Sequence, residues 1–299
     1  MHFSYIFARG TYMKKHKNRS LNIWVSYSHY LPGIGGMFAL AALFLLGALL
    51  GNALTAGLGY VFGNSFITKY GILISYPVMF IPPLLFASTM SRLEEHRTPE
   101  VPLDKGGFGC KGWMRLIFIG VCATIAGAYL VEPVITLLPP MPADLEAAMK
   151  QLLEGMPLWA TLLSVSVFAP LFEEWLCRGL VLRGLLHSKG PLVAITVSAA
   201  FFAVIHLNPW QAIPAFALGL LFGYAYYRTG SLKLTMLMHC INNTMAVILS
   251  KIPTFKEAET FMDVLSPWAY WSIWAACIVI LACSVILLRW NINHCNTDN

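Results

Sequence analysis

The stretch WATLLSVSVFAPLFEEWLCRGLVL, residues 159–182, decides the fold. It is apolar along a length that crosses a bilayer as a helix, yet FEEWLCR in its second half holds Glu173, Glu174 and Arg178. A carboxylate away from water costs at least a few kcal/mol in a bilayer, so ionisable groups inside a span usually mark function. Two adjacent carboxylates with a cation in the same span make this the first place to look for chemistry.

The rest of the chain agrees with a membrane setting. Of 299 residues, 58% are hydrophobic and 11% charged, against roughly 25% charged in a soluble domain. The mean hydropathy is +0.66, and several windows reach the length of about 18 apolar residues that signals a transmembrane helix. A soluble globular protein is excluded. No cleavable signal peptide is apparent, because the first 30 residues are polar and basic. The seven cysteines (110, 122, 177, 240, 277, 283, 295) form no CxxC pair, and most lie in apolar segments as small hydrophobes. The net charge of +6 comes from Lys and Arg in loops between apolar runs, a pattern of membrane orientation and not of nucleic-acid binding.

Apolar spans fall at about 36–63, 71–90, 113–138, 157–187, 192–207, 212–227, 233–250 and 266–288. Each is expected to be a helix, since an unpaired backbone cannot cross hydrocarbon, which predicts an all-α polytopic bundle of about eight helices. The chain then divides into a basic N-terminal segment (1–35), generic N-terminal helices (36–140), an amphipathic linker (141–156), a core carrying the polar groups (157–250) and a last helix with its tail (251–299). With the N-terminus cytoplasmic, 15 Lys and Arg fall inside (9, 14, 15, 17, 19, 92, 97, 105, 111, 115, 183, 189, 228, 233, 289) and 4 outside (69, 150, 251, 256). Both termini are therefore expected in the cytoplasm. Gly47–Gly51, Gly59–Gly63 and Gly219–Gly223 have the spacing of close helix contacts, with packing as their ordinary role.

Further polar groups accompany Glu173: Phe202 with His206, and His239 with Asn242 and Asn243. His239 and Asn243 are one turn apart on a helix face, and Glu174 and Arg178 stand in the acid-first i,i+4 order that favours pairing. Glu173 is rotated about 100° from Glu174 and is free to face a cavity. The spans at 157–187 and 192–207 turn around Lys189–Gly190, with Glu173 about 16 residues before the turn and His206 about 16 after it. At about 1.5 Å per residue the two come level, some 24 Å from the turn. His239 is shallower in its own span, so the 157–187 helix must protrude on the cytoplasmic side. Glu132, before Pro133, reads as an interfacial carboxylate.

Together, Glu173-Glu174-x-x-x-Arg178, Phe202-x-x-x-His206 and His239-x-x-x-Asn243 resemble, in order and type, the three motifs of the type II CAAX prenyl proteases. Their bacterial relatives are the abortive-infection and bacteriocin-processing intramembrane endopeptidases of the CPBP family. The resemblance covers roughly residues 155–250 and implies an intramembrane glutamic endopeptidase acting on a membrane-associated peptide or protein, in a bacterial cell membrane. The residues support the same roles. Peptide hydrolysis needs a base to activate water and donors for the oxyanion. Glu173 is the candidate base, and His206 shares the water and passes its proton to the leaving amine. His239 and Asn243 are the candidate oxyanion donors. Glu174, Arg178, Phe202 and Asn242 support them. The preferred chemistry uses no cofactor. Zinc is the alternative, with Glu173, His206 and His239 as a recognised catalytic ligand set, although HExxH is absent. Two non-enzymatic alternatives stand beside these: an ion- or proton-conducting cluster, and an immunity or scaffold protein that keeps the motifs for stability.

Overall fold

The computed structural model describes residues 23–105, 112–256, 258 and 260–295. The basic residues Arg9, Lys14, Lys15, Lys17, Arg19 and Lys111, and Cys110, lie outside the described residues. The described chain is helical, with no strand. We number the main helices α1 (Ile34–Phe62), α2 (Asn64–Glu94), α3 (Trp113–Ile135), α4 (Ala143–Glu154), α5 (Leu158–Ser188), α6 (Pro191–Val204), α7 (Pro209–Thr229), α8 (Leu232–Leu249) and α9 (Pro267–Cys295). All eight expected spans are present as helices, and α4 is the amphipathic linker. Six of them (α1, α2, α3, α5, α8 and α9) are long and apolar enough to cross a membrane, so the chain is a multi-pass membrane protein. The other two differ for physical reasons. At 14 residues α6 is too short to span alone. Pro209, Gln211, Pro214, three tyrosines and Arg228 make α7 less apolar, and it is sheltered by protein.

Helix α5 is the centre of the bundle: its most apolar window is 61% buried, against 17% for α9. Helices α1 and α2 form a hairpin whose α2 side lies on α5, α6 and α7 form a second hairpin, and α8 packs between α5 and α3. The α1–α2 contact depends on two glycines of one GxxxG spacing. A Cβ at Gly47 stands 2.1 Å from the Met79 carbonyl oxygen, and one at Gly51 stands 2.8 Å from that of Ser75. Gly219 and Gly223 likewise admit Ala199 and Ile195 of α6. Gly63 does something else, ending α1 at φ +82°. Gly47→Ala is therefore expected to lower stability by about 1–3 kcal/mol through overpacking against backbone. Gly57→Ala, with nothing within 4 Å, is the neutral control. Thermal unfolding in detergent compares the two, and equal midpoints would remove the close contact.

Beyond Leu182, α5 runs on into a polar collar made of the segment before α1 and the loop after α2. Arg183 is 4% exposed and spends its guanidinium on backbone carbonyls. Nε donates to Gly179 (2.7 Å), Nη2 to Tyr27 and Tyr30 (both 2.8 Å), and Nη1 to Ser28 (3.2 Å) and Val101. The same loop docks on the α7–α8 turn, where Asp104 accepts from Ser231 Oγ and the Lys233 amide, each at 3.2 Å. Arg183 is thus a buried clamp, a role that the charge count alone does not reveal.

Candidate active site

Five helices bring the polar groups together. Glu173 and Glu174 lie on α5 between two stretches of π-helical turn, Leu162–Phe168 and Trp175–Leu182, and Arg178 lies within the second. Such wide turns re-phase a helix and are frequent at functional sites. Both carboxylates are inside: Glu174 is 0% and Glu173 7% exposed. Adjacent side chains of a helix diverge by about 100°, yet both face one imidazole. Glu174 Oε1 lies 3.0 Å from His239 Nδ1, and Glu173 Oε2 lies 3.7 Å from His239 Nε2. The first is a hydrogen bond and the second is beyond hydrogen-bond reach. An ionised carboxylate only accepts, so Nδ1 carries the hydrogen.

The expected Glu174–Arg178 pair is present, with Nη1 donating to Glu174 Oε1 at 2.7 Å and both side chains fully buried. Arg178 Nη2 donates to the Gly219 carbonyl at 3.1 Å. The guanidinium carbon stands 4.4 Å from the centre of the Phe202 ring and 5.6 Å from that of Phe222. His239 touches the same two rings, at 5.5 Å and 5.6 Å between centroids. Phe202 and Phe222 thus desolvate one cation and one imidazole together. Phe222 was missed by the sequence reading, since one phenylalanine in an apolar helix carries no signal.

Tyr76 of α2 was missed as well. Its hydroxyl donates to Glu173 Oε1, so the glutamate is held by a helix that had looked generic. On α8, one turn beyond His239, Asn243 Nδ2 donates to the Val165 carbonyl in the first π-helical stretch at 2.8 Å. Asn242 Nδ2 donates to Asn243 Oδ1 at 3.1 Å and so orients that amide.

His206 stands just past the end of its helix. Helix α6 stops at Val204, and His206 sits in the turn that follows, half-buried. The turn continues into Leu207 at φ +53°, an unfavourable angle for a non-glycine residue, before Asn208 caps α7. His206 Nδ1 donates to the Phe202 carbonyl at 2.8 Å, leaving Nε2 as the ring's proton acceptor, and its ring meets Phe202 edge-on at 5.0 Å. The described contacts of Glu173 are to Tyr76 and His239, not to His206. Of the alternative zinc ligands, Glu173 and His239 come together, and among the described residues no three His, Cys, Asp or Glu side chains are arranged to hold a metal ion. Glu132 stands apart, 8% exposed, accepting from the Phe261 amide as a clip for the loop before α9.

Comparison with known proteins falls on these same helices. Residues 155–245 match the family model described as type II CAAX prenyl endopeptidase Rce1-like. The chain is similar to the membrane-embedded CAAX protease MroQ of Staphylococcus aureus (strain USA300), with 34% identity over 91 residues, covering 28% of this chain. The match spans 36% of that protein, about a third of its length. No solved structure matches. Every motif residue lies inside the matched segment, whereas Tyr76 lies outside it. The similarity to type II CAAX prenyl endopeptidases thus extends over residues 155–245, the segment that carries the buried polar groups of α5, α6 and α8.

Proposed function

We propose that this chain is an intramembrane endopeptidase that hydrolyses a peptide bond in a membrane-associated peptide or protein. The observation that carries the proposal is Glu173: buried, without a cation of its own, Oε1 fixed by Tyr76 and Oε2 turned toward an imidazole 3.7 Å away. A structural clip accounts for Glu174 and Arg178, which pair with each other. It does not account for a second buried carboxylate alongside.

In this reading Glu173 takes a proton from water, and the water oxygen bonds to the carbonyl carbon of the substrate as the carbonyl electrons move to oxygen. His239 and the Asn243 amide are the donors for that oxyanion. Because Glu174 already holds the hydrogen on Nδ1, His239 donates from Nε2 once the proton that Glu173 takes from water passes to it, so that the imidazolium forms together with the oxyanion. On collapse the carbon–nitrogen bond breaks and the proton reaches the leaving amine through His206 Nε2. Glu174 and Arg178 hold His239 in place, and Asn242 and Phe202 orient their neighbours. The reaction proceeds without metal, and chelators leave its rate unchanged. The collar around Arg183 is on the cytoplasmic side, with both termini, in a bacterial cell membrane.

Mass spectrometry of peptides released from membranes tests this reading, with the intact chain and with Glu173→Gln combined with His206→Ala. Peptide masses that need the intact chain are expected to vanish in the double variant. If the same peptides persist while the variant stays folded, the protein is not this protease.

A further inference from the structure

Resting on the reading of Glu173 as the general base, we infer that Tyr76 is a positioning residue of the reaction, supplied by a helix outside the family-matched segment. Its hydroxyl donates to Glu173 Oε1 and leaves Oε2 as the oxygen that faces His239 Nε2. A carboxylate with one oxygen engaged presents the other in a fixed direction, which is what a base needs to meet a water at a set angle.

The placement of Tyr76 is built into the packing. Its ring leans on Phe80 with centroids 5.5 Å apart, and Phe80 stacks on Phe172, the residue before Glu173, at 5.3 Å and 17°. Phe80 is 1% exposed and meets Phe44 of α1 at 5.2 Å. Behind this ladder, Gly51 and Gly47 bring α1 against the backbone of Ser75 and Met79, on either side of Tyr76. The α1–α2 hairpin therefore sets the register of α2 on α5 at the level of Glu173. Hence the site needs more than its matched domain: one acceptor of its base is satisfied from α2.

Tyr76→Phe keeps the ring and removes the hydroxyl. The first measurement needs no substrate. A hydrophobic carbodiimide, dicyclohexylcarbodiimide, labels carboxyl groups inside the bilayer, and the Tyr76 hydroxyl occupies one oxygen of Glu173. Labelling at Glu173, located by peptide fragmentation, is expected to rise several-fold in Tyr76→Phe, with labelling at Glu132 and the thermal midpoint unchanged. The second measurement is turnover of a prenylated CAAX-tailed peptide in proteoliposomes. There kcat is expected to fall roughly 10- to 100-fold with KM unchanged. Leu288→Ala, 0% exposed in a packing cluster that does not include the Phe80 ladder, serves as the packing control and is expected to lower the midpoint without changing kcat per folded molecule. Unaltered labelling at Glu173, or labelling that rises equally at Glu132, overturns the assignment. A Glu173→Gln chain that still cleaves sinks the protease reading whatever Tyr76 does. An inactive Glu173→Gln beside a Tyr76→Phe of ordinary labelling and turnover sinks the Tyr76 proposal alone.

Discussion

Replacing Glu173 with Gln is expected to cut the rate of peptide release by about 10²- to 10⁴-fold, the range that a positioned general base contributes. Shape is preserved: the Gln carbonyl still accepts from Tyr76, and the side chain still fills the space beside His239. What is lost is a carboxylate with no cation of its own, 7% exposed, whose Oε2 lacks a hydrogen-bond partner among the described residues. Removing such a charge relieves a desolvation cost, so Glu173→Gln is expected to unfold at the same temperature as the intact chain or higher. Opposite movement of activity and stability is what distinguishes a reactive glutamate from a structural one. Thermal unfolding in detergent, read beside the release rate, measures both. A variant that loses stability and activity in parallel would make Glu173 a packing residue.

How much of this was legible in the sequence follows from the range of each force. Hydropathy is summed over a span, so the helices could be read from composition; α6 deviates because it is too short to span, and α7 because protein shelters its polar residues. The Glu174–Arg178 pair was readable because i,i+4 contact is local. The depth count that set Glu173 level with His206 assumed helical rise throughout, whereas α6 ends at Val204, two residues short of His206. The end of α5 beyond Leu182 is wrapped by the Tyr27, Tyr30 and Val101 carbonyls that Arg183 binds, contacts between distant segments that no local pattern displays. The burial of Arg183 was not legible, because counting cations by side cannot separate a solvated arginine from a buried one. Tyr76 was out of reach for a different reason. It is 97 positions from Glu173, and no periodicity couples two residues of different helices.

The buried ion pair yields the largest expected effect on stability. Arg178→Met keeps much of the length of the side chain between Phe202 and Phe222 but leaves Glu174 with no cation in a site it shares at 0% exposure. Breaking a buried pair from one side costs about 3–5 kcal/mol, because the desolvated charge stays behind. Arg178→Met is thus expected to fall well below the intact chain in thermal midpoint and in yield of folded protein. Removing the charge of Glu174 too, as Glu174→Gln with Arg178→Met, is expected to return most of that loss, since a neutral pair carries no such penalty. Activity is expected to follow only in part. The Gln carbonyl still accepts from His239 Nδ1, now at 3.0 Å from Glu174, but without charge to stabilise an imidazolium. The double-mutant cycle therefore splits in two, with strong coupling in stability and a residual deficit in rate. If Arg178→Met alone is as stable as the intact chain, Glu174 is not held by that arginine, and the support assigned to His239 falls with it.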